Sequence, residues 1–293
     1  MSSELEKAIG FISGEDPVSW NKRDLILYAV GIGFGQGDLQ FVYELDKKFA
    51  AFPTYPVALP LKGDTSDVNL FKDRVTGRST PGLPTFDPNR VVHGSQSIEV
   101  LKPLPLVSGP GWKIIKRVVG VHENKTGVIV DHESVLEDSS GTPYAKCISA
   151  SFNVGAKITG QKFSKLDCQT KDVPDQAVIY RLTADYNPLH IDPRIGEAAN
   201  FGGVILHGLC TFGHTARAVL SQVGNNDPNA LRFFGARFTS PVRPGDELET
   251  SIWEVGLGPD EVELTFQTKD LTSGKVCLGG GIAYVKKVEK SKL

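Results

Sequence analysis

The sequence predicts an α+β protein made by duplication. It has two antiparallel sheets of matching strand order, with one long central helix kept in the second half and shortened or lost in the first. Three observations carry this. Residues 97–155 and 236–286 pass through the same succession of extended segments and turns. Val204 to Val223 carries apolar residues at helical spacing, including Leu209, Phe212, Ala216, Val219 and Leu220. The matching stretch of the first half, Lys62 to Thr80, is polar and holds two glycines, too poor in apolar residues for a long buried helix.

Taken in order, Asn21 to Gly31 reads as a short helix. Ser97 to Pro105 is extended and broken by Pro103-Leu104-Pro105. Lys113 to Val121 alternates as a strand, turns at Glu123-Asn124-Lys125, and returns as Gly127 to Ser134. Ser140-Gly141 then turns into a last strand. The polar, proline-ended stretch from Gly160 to Gln176 divides the chain into 1–160 and 161–293. In the second half Asp192 caps a helix with Pro193 in its first turn, and the long helix stops at Gly224-Asn225. Arg237 to Gly245 repeats the extended, proline-broken segment. Leu248 to Val255, the turn at Leu257 to Asp260, Val262 to Lys269 and Ser273-Gly274 repeat the ladder.

Composition narrows the function classes. The 293 residues hold 32 Lys plus Arg against 34 Asp plus Glu, a net charge of −2. That gives no reason to expect a nucleic-acid or membrane-surface partner. The longest apolar run, Leu25 to Phe34, is too short to span a bilayer, and residues 1–10 lack the apolar block of a signal peptide. Cys147, Cys168, Cys210 and Cys277 are scattered and form no metal-type pair, which fits reduced intracellular thiols. The terminal Ser291-Lys292-Leu293 matches the peroxisomal address, so the expected location is the peroxisome and an import receptor an expected partner.

The chemistry concentrates in Thr183-Ala184-Asp185-Tyr186-Asn187-Pro188-Leu189-His190-Ile191-Asp192-Pro193 and in Leu206-His207-Gly208-Leu209-Cys210. Asn187-Pro188 forbids a regular helix, so Asp185, Asn187 and His190 sit on a loop that can aim all three at one spot. A carboxylate and an imidazole can exchange protons with a water. Gly208, in the first turn of the long helix, offers an N–H without an intrahelical partner and without a shielding side chain. The plain alternatives are ordinary turn residues, a satisfied core imidazole, and a glycine needed only for close packing. The density of the block weighs against them. A metal on His190 with Asp185 and Asp192 is disfavoured because the sequence shows no second clustered histidine. His207 reads as structural.

At these residues the chain resembles the MaoC-like hydratase 2 family, the (3R)-specific 2-enoyl-CoA hydratases. The family block Tyr-Arg-Leu-Ser-Gly-Asp-x-Asn-Pro-Leu-His-x-Asp-Pro is matched by Tyr180 to Pro193, with Thr183 for Ser and Ala184 for Gly. Ile205 to Gly213, Ala236 to Val242, Val92 to Gln96 and Lys102 to Pro105 extend the match over nearly the whole chain. The resemblance implies a double hot-dog fold and a homodimer, with the missing helix of the first half leaving room for a bulky acyl chain. It implies reversible hydration of trans-2-enoyl-CoA in fatty acid β-oxidation. In it Asp185 and His190 are the catalytic pair, Asn187 helps place the water and Gly208 is the oxyanion donor. His93, Gly94, Lys125 and Phe238 become the contacts to the CoA thioester. No cofactor or metal is implied, coenzyme A being part of the substrate. The rival readings are a hot-dog thioesterase, a non-catalytic acyl-CoA-binding protein and a dehydratase of carrier-bound chains.

Overall fold

A computed structural model of the chain describes residues 7–68, 80–86, 91–124, 127–154, 175–258 and 260–287. Lys125, Cys168, the boundary at 160/161 and the tripeptide Ser291-Lys292-Leu293 lie outside them. The described strands are β1 (Ile12–Pro17), β2 (Val91–Val100), β3 (Lys113–Asn124), β4 (Gly127–Glu137), β5 (Pro143–Val154), β6 (Leu231–Phe238), β7 (Leu248–Leu257), β8 (Glu261–Asp270) and β9 (Val276–Lys286).

The duplication is visible in the pairing. Counted outward from the β2–β6 seam, the first half orders its strands β2-β5-β4-β3 and the second β6-β9-β8-β7, so each runs first-fourth-third-second. The two predicted sheets are joined edge to edge. Ser95 to Glu99 of β2 pair antiparallel with Arg237 to Phe233 of β6, making one nine-stranded sheet with β1 added outside β3. This pairing covers what would otherwise be two open edges.

The first strand of each half begins six residues before its predicted start, at Val91 and Leu231. Proline cannot donate to a ladder, so the proline-broken stretches of both segments lie past the strand ends. Strand β1 was not foreseen. Its sequence, Ile-Ser-Gly-Glu-Asp-Pro, has little strand propensity, and an edge position tolerates that.

Helix α1 (Lys22–Gly31) starts where predicted because Asn21 and Asp24 form a capping box. Asn21 accepts from the Arg23 N–H at 2.9 Å, and Asp24 accepts from the Asn21 N–H at 2.9 Å. In the rest of that half no second long helix is described. The space holds single-turn pieces and buried apolar side chains, among them Phe41, Phe52, Tyr55 and Leu59.

In the second half come α2 (Asp175–Arg181), α3 (Pro193–Ala198) and α4 (Gly208–Val223). Helix α4 begins at Gly208 rather than Val204, with His207 at its N-cap. Its Leu209, Cys210, Phe212, Ala216, Val219 and Leu220 are buried; Phe212 meets Phe234 of the sheet edge-on at 4.8 Å, Phe234 stacks on Phe266 at 4.6 Å, and the Cys210 thiol turns to the Gly31 carbonyl of α1 at 3.4 Å. Gly213 lets α4 cross the end of α1, since a Cβ there would lie 2.4 Å from Ile32 Cγ2. That crossing ties the two halves together at the N-terminal end of α4. Among the described residues no helix is long and apolar enough to cross a membrane.

Candidate active site

The loop after α2 is built by its own polar side chains. Asp185 Oδ1 accepts from the Asn187 N–H at 3.3 Å, and Asn187 Oδ1 accepts from the Leu189 N–H at 3.0 Å, capping the 3-10 turn Pro188–His190. The carbonyl of the Asn187 side chain is therefore engaged by the turn. The Arg181 guanidinium reaches the main-chain carbonyl of Asn187 at 3.4 Å. Asp192 caps α3 as predicted, accepting from the Arg194 N–H at 3.0 Å and from its guanidinium at 2.7 Å.

His190 is buried, and its Nδ1 lies 2.9 Å from the carbonyl oxygen of Ile205. A carbonyl can only accept, so Nδ1 carries the proton and Nε2 presents a bare lone pair. Asp185 is half-buried, and its carboxylate lies within 4.8 Å of a ring nitrogen of His190. Two hydrogen bonds of about 2.8 Å meeting at a water's tetrahedral angle span roughly 4.6 Å, a length that this limit admits for one shared water. Donating both hydrogens to these acceptors would leave its oxygen lone pairs free.

Beside them lies a group that the sequence alone marks as merely structural. His207 is fully buried, its ring centred 3.9 Å from that of His190 at 32°, and its Nε2 is 3.1 Å from the main-chain carbonyl of Asp185. The statement that no second histidine clusters with His190 is therefore corrected. His207 is 17 residues along the chain, and the N-terminus of α4 brings it back onto the loop. The one signal for it in the sequence is its place directly before Gly208.

Gly208 opens α4, and its N–H has no acceptor among the described residues. The ring of Phe238 lies against it, since a Cβ on Gly208 would come 3.1 Å from Phe238 Cε1. The packing role weighed for this glycine is thus real, and it coexists with the bare amide. Phe238 in turn lies 4.8 Å from the ring of His93. His93 sits at a bulge of β2 completed by Gly94, where a Cβ would meet the Ala150 carbonyl at 3.4 Å. Its Nε2 is buried without a partner among the described residues. The structure thus gathers Asp185, Asn187, His190, Gly208, His93, Gly94 and Phe238 around the β2–β6 seam, one wall from each half.

Ala184, just before the Asp185–His190 loop, has φ +90°, a region that costs a residue with a Cβ about 1–3 kcal/mol. The hydratase 2 pattern has glycine there. Ala184→Gly relieves the strain but loses a buried methyl, worth about 0.8 kcal/mol, and loosens the unfolded chain by about 0.4–1 kcal/mol. We therefore expect a net change below about 1 kcal/mol in urea unfolding. Ala184→Val, β-branched at the same φ, is expected to cost more than about 2 kcal/mol.

Burial sets the charge of the imidazoles around the helix. It pushes His207 down to about 3, helped by neighbouring His190, and His214 down to about 4, helped by Arg217. Burial also lowers His93 and His132. In the unfolded chain these groups return to 6.5. Below that value the unfolded state takes up protons that the fold refuses, so stability falls as pH falls from 6.5 toward the folded values. Each histidine kept neutral contributes about 1.4 kcal/mol per pH unit to that slope. Urea midpoints are expected to drop clearly from about pH 7 to about pH 5. Equal midpoints would mean that these imidazoles titrate normally in the fold.

Two family models divide the chain between them. The MFE-2 hydratase 2 N-terminal domain matches residues 18–155 and the MaoC like domain residues 152–277. The Dictyostelium discoideum protein named "Probable enoyl-CoA hydratase 2" is 32% identical, over 94% of this chain and 95% of its own. Peroxisomal enoyl-CoA hydratase 2 of Arabidopsis thaliana is 31% identical, over 91% of this chain and 90% of its own. The crystal structure of a MaoC-like dehydratase from Phytophthora capsici matches with TM-score 0.83 at 35% identity, covering 98% of this chain and 99% of that one. The duplicated sheet with its one long helix is a double hot-dog fold. With these likenesses spread across both halves, the chain belongs to the MaoC-like hydratase 2 family.

Proposed function

We propose that the chain is a hydro-lyase that reversibly adds water to trans-2-enoyl-CoA, giving (3R)-3-hydroxyacyl-CoA, in peroxisomal fatty acid β-oxidation. The observation that carries this is the approach of the Asp185 carboxylate to within 4.8 Å of a ring nitrogen of His190, whose Nδ1 is held by the Ile205 carbonyl, beside the unbonded N–H of Gly208. The water oxygen attacks C3 of the enoyl group as one of its protons passes to the Asp185–His190 pair. Negative charge moves to the thioester oxygen and is met by the Gly208 amide at the positive end of α4. The pair then returns a proton to C2, so nothing is consumed but water. The orphaned Nε2 of His93 and the ring of Phe238 would line the approach of the thioester, with Asn187 keeping the loop in shape. Lys125 is proposed as a contact for the CoA moiety on the family resemblance alone.

No cofactor or metal enters this scheme. The ligand atoms of Asp185, His190 and His207 do lie within 4.8 Å of one another. The two imidazoles, however, are stacked at 3.9 Å with planes only 32° apart, so their in-plane lone pairs run alongside one another instead of converging on one ion. A thioesterase is the second reading, since a helix-end N–H and a carboxylate also suit it. The carboxylate–imidazole pair gripping one water favours hydration.

Incubation with crotonyl-CoA decides between them. A hydratase bleaches the conjugated-enoyl absorbance without releasing free thiol, and chiral analysis of the product should give the 3R alcohol. Thiol release in step with the fall in absorbance would establish the thioesterase, since breaking the thioester also destroys that chromophore, and neither change would leave a binding protein. Removal of Ser291 to Leu293 from the full chain should abolish peroxisomal import. Sedimentation of the purified protein should give a homodimer.

A further inference from the structure

Asp185 and His190 need their relative placement maintained to a fraction of an ångström, and neither holds the other directly. We infer that His207 is the positioning residue of this site, its single N–H fixing the main chain that carries Asp185 while its ring face fixes the imidazole of His190. This deepens the hydratase reading and rests on it.

Four observations support the assignment. The acceptor at 3.1 Å from Nε2 is a carbonyl oxygen, that of Asp185, so Nε2 bears the hydrogen and the tautomer is fixed. The His190 ring is stacked at 3.9 Å on one side, and the Tyr180 ring lies 5.0 Å away. Nδ1 is buried and has no partner among the described residues, so a second proton there would find no acceptor. Finally, the residue is the N-cap of α4, directly bonded to Gly208, and its side chain makes no capping bond. A side chain at that position ordinarily serves the helix amides. This one is turned away from them and onto the catalytic loop. One imidazole thereby links the three elements of the chemistry: the strained loop at Ala184–Asp185, the His190 ring and the start of the helix that bears the oxyanion amide. It touches no reacting atom in the scheme, and its action is through Asp185 and His190.

A core imidazole that only fills space would behave differently from one that sets geometry. His207→Phe keeps a flat ring against His190 but loses the N–H. His207→Gln keeps an N–H able to reach the Asp185 carbonyl but loses the ring. With the hydratase reaction on crotonyl-CoA as readout, His207→Phe is expected to lose roughly 10²-fold in kcat, with KM unchanged within about threefold. His207→Gln should recover about tenfold of that loss. A Phe variant with kcat within about twofold of the parent overturns the proposal. So does a rise in KM at constant kcat, or equal losses in both variants that follow their urea midpoints. Nitrogen NMR on the unmutated protein gives a second measure that needs no variant to fold. It should show one histidine as the Nε2–H tautomer, neutral from about pH 5 to 8, and assigned as the one lost in His207→Gln. An Nδ1–H tautomer, or titration in that range, also overturns the proposal. Absence of hydration by the parent protein would instead refute the hydratase reading, and the NMR result would stand apart from it.

Discussion

Asp185→Asn and His190→Gln should each lower kcat for enoyl-CoA hydration by roughly 10²–10⁴-fold while leaving KM close to its parent value. The reasoning is that neither group binds much of the substrate. In the proposed reaction each accepts one hydrogen of the attacking water, and together they carry a proton from that water to C2. An amide in place of the carboxylate keeps the oxygen that accepts from the Asn187 N–H, so the loop turn survives. Glutamine in place of His190 forfeits the bond to the Ile205 carbonyl, a loss of about 1 kcal/mol that leaves the protein folded. The double variant should be little worse than the poorer single one, because a water held by one acceptor is no longer aimed. Steady-state kinetics on crotonyl-CoA, with urea midpoints as the control for folding, measures all three. Near-normal rates in either single variant would remove that residue from the chemistry.

What could be read in the sequence divides along physical lines. Period-two alternation between turn residues is a local signal, so the ladders from Lys113 to Glu137 and from Leu248 to Asp270 were legible nearly to their ends. The helix Gly208–Val223 was legible from its apolar face, and the loop around Asn187-Pro188 from the restriction that proline places on its neighbour. Side-by-side fusion of the two sheets was not legible, because alternation says which face is buried and not which strand lies alongside. Nor was the role of His207. Its partners, Asp185 and His190, are 22 and 17 residues away, and only the return of α4 onto the loop brings them together. The same holds for His93 and Phe238, which reach the site from opposite sides of the seam and were named through the family resemblance alone. The residues that a single local motif carries were visible as a candidate site. The groups that orient them come from elsewhere in the chain and appear only with the fold.

Gly208→Ala tests the remaining element, the bare amide, and its outcome separates two reasons for a glycine. Alanine is the better helix former by about 1 kcal/mol, so a helix that needed only to form would gain or stay level. The added methyl would sit 3.1 Å from the edge of Phe238, a contact that a small shift of that ring can absorb. We therefore expect stability to change by less than about 1 kcal/mol. Activity should change far more, by roughly 10²–10³-fold in kcat, because the methyl and the displaced ring stand where the thioester oxygen must come to meet the N–H. Gly208→Val should bring the rate down further by closing that approach from both branches. If Gly208→Ala instead lowers the urea midpoint while kcat is unchanged, the glycine serves the packing of α4 on Phe238 and the developing charge must be met elsewhere. The two results exclude each other. A helix terminus stabilises an oxyanion only where the oxygen can come within hydrogen-bond distance of the amide, so an obstruction there must appear in the rate even when the fold tolerates it.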